Sequence, residues 1–147
     1  MKIGLYFGSF NPIHVAHLII ANQFLNETDI EKIWFVISPQ NPLKAESNLL
    51  NEYHRLHLVR LATEDDNRIK SSDIEFGLPK PSYTINTLIY LEEKFPEHEF
   101  VIIMGSDSFQ NFHKNIDIYQ ALSVINSVHI PNKIAKITKN STFKRIF

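Results

Sequence analysis

Apolar positions along the chain fall into two patterns. Nearly continuous runs rich in β-branched and aromatic side chains occupy residues 3–7, 33–37 and 100–104, as expected of strands covered on both faces. Between them, residues 15–25, 53–62 and 85–95 return apolar side chains every three or four positions, the spacing of amphipathic helices. A weaker strand is expected over residues 68–75, where Ile69 and Ile74 are separated by Lys70-Ser71-Ser72-Asp73; such an interrupted strand belongs at an edge. Strand and helix therefore alternate, which predicts an α/β fold with a doubly wound, mostly parallel sheet. In such sheets ligands bind outside the carboxyl ends of the strands. The loops to search are residues 8–13, 38–50, 76–83 and 105–109, which hold most of the prolines and glycines.

Composition narrows the class. With 147 residues, 44% hydrophobic and 12% aromatic, the chain suits a single domain, 1–147, with a sizeable core. Fifteen basic against sixteen acidic residues give a net charge of −1, so no basic field favours nucleic acid as a partner. The absence of cysteine excludes disulfides, thiolate zinc sites and thiol nucleophiles, and suits the reducing cytoplasm, where the chain is expected. No apolar run approaches the ~18 to 20 residues that span a bilayer, and the first strand is interrupted by Gly8 and Pro12 too soon to be a signal peptide; no membrane partner is expected. After Asp117 the chain carries five basic residues, Lys133, Lys136, Lys139, Lys144 and Arg145, and no acidic one. A short cationic end of this kind gives little salt-dependent affinity by itself.

The strongest candidate for chemistry is Gly8-Ser9-Phe10-Asn11-Pro12-Ile13-His14-Val15-Ala16-His17, between the first strand and the first helix. Gly8 permits close backbone approach, the helix start offers unpaired N–H groups to an anion, and His14 and His17 lie three apart on one helical face. Zinc is the rival use of such a pair, but it needs further ligands and no partner motif stands out. A second pair, His54 and His57, lies on a helix without a carboxylate at ligand spacing and reads as structural. His98, His113 and His129 are isolated and receive no role.

The segment from Gly8 to His17 resembles the signature of the HxGH nucleotidyltransferases, with Ala16 where glycine is commoner. Within that superfamily, Pro39-Gln40-Asn41-Pro42-Leu43-Lys44, His54-Arg55-Leu56, Pro81-Ser82-Tyr83-Thr84-Ile85-Asn86-Thr87-Leu88 and Ile103-Met104-Gly105-Ser106-Asp107 are similar to segments of the nicotinate-nucleotide adenylyltransferases. The resemblance implies a Rossmann-like sheet of the nucleotidyltransferase type and adenylyl transfer from ATP to nicotinate mononucleotide, a step of NAD biosynthesis. It also implies Mg2+ carried with ATP, rather than held by a protein metal site. By the same resemblance, His14 and His17 are catalytic and hold the ATP phosphates, with backbone donors near Gly8, Ser9 and Phe10. Gly105 and Asp107 contact the adenosine part, Lys44 counters phosphate charge, and Tyr83 and Thr84 belong to the loop that recognises the nicotinate carboxylate. The plainer reading of Thr84 is a helix N-cap, with Asn86 and Thr87 in the first turn.

The resemblance runs from Met1 to Lys114 and then thins. Asn11 stands where the family often has aspartate, and Asn115 where it usually has a tryptophan; the only tryptophan here is Trp34. The nearest echo of the C-terminal motif that receives ATP phosphates is Ser141, Thr142 and Arg145, with Phe143 and Lys144 between them. Residues 115–147 are therefore expected to form a divergent C-terminal portion, poorly ordered or packed differently, whether through natural divergence or through a shortened or frame-shifted gene. The alternatives to the leading reading are a catalytically impaired nucleotide-binding relative and a phosphopantetheine adenylyltransferase. The sequence leaves the oligomeric state, a homo-oligomer included, open.

Overall fold

The computed structural model describes residues 1–39, 48–80 and 83–103 in full, and 127–130 and 135–138 as backbone. Their elements follow in the order β1 (Lys2–Gly8), α1 (Val15–Glu27), β2 (Lys32–Ile37), α2 (Glu52–Thr63), β3 (Ile69–Ser72), a 3-10 turn (Ile74–Gly77), α3 (Thr84–Lys94), β4 (Glu99–Ile103), β5 (Ser127–Ile130) and β6 (Ala135–Thr138). The strands form one sheet in the order β3-β2-β1-β4-β5-β6. The first five run parallel, and β6 returns antiparallel beside β5. The doubly wound, mostly parallel α/β sheet expected from the alternation is thus the observed fold. No helix among the described residues is long and apolar enough to cross a membrane.

Strands buried on both faces explain the continuous apolar runs. One face carries Tyr6, Ile33, Phe35, Ile37, Val101 and Ile103, which join Ala21 and Phe24 of α1 and Leu56 and Val59 of α2 in one core. The other face carries Leu5, Trp34 and Ile102; there Leu88 and Leu91 of α3 are buried, and Phe95 meets the Trp34 ring edge-on at 5.4 Å. Trp34 is therefore a core residue. His98 packs into the same aromatic group, stacked on Phe95 at 5.9 Å. Full burial of each large apolar side chain contributes about 1.5–3 kcal/mol. Gly4 leaves room for the Ile103 side chain, whose Cδ1 would have to move from a Cβ placed 2.6 Å away.

Two expectations are corrected. Residues 68–75 are not one strand: β3, at the sheet edge as expected, ends at Ser72, and the chain turns so that Glu75 is buried and accepts a 2.8 Å hydrogen bond from the Thr87 hydroxyl. Thr84 is not the N-cap of α3 but its first residue. Tyr83 holds the cap position, and its carbonyl accepts from the Asn86 N–H at 3.1 Å. Beyond Lys114, β5 and β6 extend the same sheet, and the rest of residues 115–147, expected to form a divergent C-terminal portion, lies outside the described residues. Each is four residues long with polar residues interleaved, Ser-Val-His-Ile and Ala-Lys-Ile-Thr, a pattern too short to stand out from a loop.

Candidate active site

The strand order reverses direction between β1 and β4: the chain moves from β1 outward through β2 to β3, then crosses back to β4 on the other side of β1. The crevice at such a reversal, beyond the carboxyl ends, is where doubly wound sheets take ligands. The loop from Gly8 to His14 leaves β1 at that end, and α1 begins immediately after it.

Local chemistry sets the shape of this loop. Phe10 is buried at 3% exposure with φ of 47°, a left-handed conformation that costs a bulky L-residue about 1–2 kcal/mol. Packing sustains it. The ring meets Tyr6 at 5.5 Å and Phe35 at 5.0 Å, and lies over Gly8, where a Cβ would stand 3.0 Å from its Cζ. Gly8 is thus needed to seat the Phe10 ring, a packing reason in addition to the backbone approach expected of it. The Asn11–Pro12 peptide is cis.

His14 occupies the N-cap position of α1 and His17 the third residue of the helix. The Nδ1 of His17 accepts the backbone N–H of His14 at 3.1 Å, the reach-back half of a capping box made with imidazole in place of carboxylate. A nitrogen that accepts a hydrogen bond carries no proton, so in the neutral ring the proton sits on Nε2, which is a donor. The two imidazoles stack with centroids 3.8 Å apart at 24°. Beneath them Phe10 meets the His17 ring edge-on at 5.1 Å, and Tyr6 lies at 6.0 Å. Burial pushes the Tyr6 phenol up to about 12, so this aromatic floor stays neutral at physiological pH. His14 is exposed and His17 half-buried.

The loop is also tied to its neighbours. Asn11 donates through Nδ2 to the Asn48 carbonyl at 2.7 Å and accepts the Leu50 N–H through Oδ1 at 3.0 Å, a two-way bridge that an aspartate could make only in part. The Ser38 N–H donates to the Gly8 carbonyl at 2.9 Å. Arg55 of α2 is 1% exposed, and its guanidinium donates to four carbonyls: Leu50 at 2.8 Å, Ser9 at 2.7 Å, Ser38 at 2.7 Å and Pro39 at 3.2 Å. Burial lowers its pKa, partly offset by the charge of Glu52; guanidinium nevertheless remains charged in proteins.

Of the residues singled out from sequence, the structure brings Gly8, Ser9, Phe10, His14 and His17 into one loop and helix start. Tyr83 and Thr84 stand at the start of α3, Tyr83 exposed and Thr84 half-buried. Lys44, Gly105, Asp107, Ser141, Thr142 and Arg145 lie outside the described residues. His54 and His57 point to solvent from α2. Among the described residues no group of three or more His, Asp or Glu side chains could hold a metal ion. Arg55 and Asn11, both named from sequence but given no role there, are the further contributors to the loop. Arg55 had a signal: it stands four residues before Val59 and next to Leu56 on the buried stripe of α2, where an arginine is out of place unless bonded.

A model of the cytidylyltransferase-like family matches residues 5–144. The chain belongs to this family. The match continues past Lys114, where the motif resemblance thins, and includes the two strands added there. Among curated proteins, the chain is 58% identical over 114 residues to the probable nicotinate-nucleotide adenylyltransferase of Flavobacterium psychrophilum, covering 78% of this chain and 59% of that protein. With the protein of the same description from Bacteroides thetaiotaomicron it shares 47% over 114 residues, 78% of this chain and 56% of that one. The family member described here thus spans less than two thirds of the length of these relatives. Its fold is shared with Plasmodium falciparum nicotinic acid mononucleotide adenylyltransferase complexed with NaAD, at a TM-score of 0.74 and 23% identity, covering 88% of this chain and 63% of that one. A structure of the Plasmodium falciparum enzyme complexed with APC gives a TM-score of 0.71 at 22% identity, covering 88% and 62%.

Proposed function

We propose that this protein transfers the adenylyl group of ATP to nicotinate mononucleotide, forming nicotinate adenine dinucleotide and pyrophosphate in NAD biosynthesis. The observation that carries the reading is the stacked His14–His17 pair at the start of α1, beside the reversal point of the sheet, in a chain 58% identical over most of its length to a probable nicotinate-nucleotide adenylyltransferase. In this reaction a 5′-phosphate oxygen of nicotinate mononucleotide attacks the α-phosphorus of ATP. The new P–O bond forms as the bond to the β-phosphate oxygen breaks, and pyrophosphate leaves with its electron pair. No covalent enzyme intermediate is needed; positioning and charge neutralisation suffice.

The residues divide these tasks. His17, with its proton on Nε2, donates to the transferring phosphoryl group, and His14 holds the departing phosphates beside it. The start of α1 carries no acidic residue in its first turn, so its N–H groups and dipole are left to an anion. Gly8, Ser9 and Phe10 supply the backbone wall of the ATP site, and Gly105 and Asp107 take the adenosine. Ser141, Thr142 and Arg145 add phosphate contacts, while Lys44, Tyr83 and Thr84 serve the nicotinate mononucleotide. Mg2+ enters with ATP, bound chiefly by its phosphates. The reaction is assigned to the cytoplasm.

Pyrophosphate release from Mg-ATP, measured with nicotinate mononucleotide, nicotinamide mononucleotide and phosphopantetheine in turn, tests this function. Nicotinate mononucleotide is expected to be the best acceptor. An equal or reversed preference sinks the specificity, and ATP binding without release from any acceptor identifies a nucleotide-binding relative instead.

A further inference from the structure

We infer that Arg55 is a positioning residue that locks the Ser9–Phe10 peptide with its carbonyl inward, and thereby aims the Phe10 N–H at phosphate. The inference rests on the adenylyl-transfer reading for its ligand but on the hydrogen bonds of Arg55 for its geometry. The guanidinium is buried, no described carboxylate forms an ion pair with it, and its hydrogen-bond partners among the described residues are carbonyl oxygens from three separate places: Ser9 after β1, Ser38 and Pro39 after β2, and Leu50 before α2. A desolvated charge with no contact ion pair, only the nearby charge of Glu52, is an expensive way to join loops. It becomes intelligible where a planar fork must hold several carbonyls at fixed angles, which a lysine cannot do.

The Ser9 carbonyl is one of these four. In a planar trans peptide C=O and N–H point in opposite directions, so the 2.7 Å bond from Arg55 Nη1 to the Ser9 oxygen directs the Phe10 N–H away from the guanidinium. No described group accepts that N–H, although Phe10 is buried at 3% exposure and buried backbone donors are seldom left without a partner. The left-handed φ of Phe10 belongs to the same arrangement: the loop holds a strained conformation in which one donor faces outward beside the imidazole pair. If the peptide flipped, a carbonyl would meet the incoming phosphate and repel it. The permanent positive charge beneath the loop also favours an anion above it.

The experiment uses the 147-residue chain labelled with 15N-phenylalanine and has two arms. In the unmodified protein, Mg-ATP, and separately inorganic pyrophosphate, should move the Phe10 amide proton downfield; an unchanged Phe10 amide while neighbouring amides respond overturns the inference. In Arg55→Lys, which keeps the charge and loses the fork, the residual dipolar coupling of the Phe10 N–H should change, and Mg-ATP affinity should fall about 10- to 100-fold. Asn51→Ala, which weakens the same helix without touching the loop carbonyls, should change neither. An unchanged coupling in folded Arg55→Lys, or a changed coupling with affinity intact, overturns the inference. Should Arg55→Lys fail to fold, the first arm decides. Unmodified protein that binds neither probe sinks the adenylyl-transfer reading, and the coupling alone then decides whether Arg55 sets the peptide.

Discussion

Helices α1 and α2 leave the same end of the sheet and pack against the same face, yet their first turns are built differently. At α2, Asn51 closes the helix by accepting the Tyr53 N–H at 2.9 Å, and Glu52 places a carboxylate in the first turn, itself held by Lys80 at 3.2 Å. That end brings its own anion and needs no other. At α1 the cap position and the third residue are both histidine, and the first turn contains no carboxylate. The imidazole of His17 satisfies a backbone donor from the inside while presenting a donor of its own. One start carries its own carboxylate in the first turn; the other has none there.

The largest effect should come from breaking the second kind of start. If the proposed adenylyl transfer holds, His17→Ala removes a donor to the transferring group and should lower kcat by about 10²- to 10³-fold, with folded protein confirmed by circular dichroism; a change under threefold would mean that His17 only caps the helix.

Next comes the neutral floor under that histidine. The native Tyr6 phenol keeps its proton up to about pH 12, whereas the unfolded chain releases it from about pH 10. Its contribution is therefore complete below pH 10 and lost as pH rises through 12. Tyr6→Phe should flatten that part of the alkaline unfolding curve by on the order of 2–3 kcal/mol, and identical alkaline curves for the two proteins would contradict this.

For the finished start, Asn51→Ala should cost about 1 kcal/mol in urea unfolding and leave nucleotide affinity alone. A matching loss of affinity would erase the distinction between the two helices. The smallest effect is expected at the link between them: Asn11→Asp keeps the acceptor for Leu50 but turns an oxygen toward the Asn48 carbonyl, and should destabilise by about 0.5–1 kcal/mol. Greater stability on this change would show that the bridge does not form as described.

How much of this was legible in the sequence depended on whether one residue's character sufficed. Strands such as Ile33 to Ile37 announce themselves because burial on both faces demands an unbroken apolar run, and the observed β2 differs from expectation by only Lys32. His14 and His17 could be paired from spacing alone, because the helix repeat fixes which side chains are neighbours. Arg55 could not be read this way. Its partners are backbone carbonyls, which every residue possesses, so nothing in the sequence marks Ser9, Ser38, Pro39 or Leu50 as acceptors. The Asn11 bridge is hidden for the same reason. Likewise, β5 becomes recognisable only once β4 is in place to pair with it, and β6 only once β5 is.

Placing β1 at the centre of the sheet also has a price in time. Its residues are synthesised first among the described strands, yet the partner on one of its sides is β4, with Lys2 opposite Glu99, about 97 residues later. At roughly 5 to 20 residues per second, the ribosome leaves that side of a very apolar strand without its mate for about 5 to 20 s. During that interval β1 can pair only with β2, and its other edge offers an open row of N–H and C=O groups to any extended chain nearby. Slowing translation before Phe100 should therefore increase aggregation of the nascent chain, whereas the same delay after β4 has left the ribosome should matter far less.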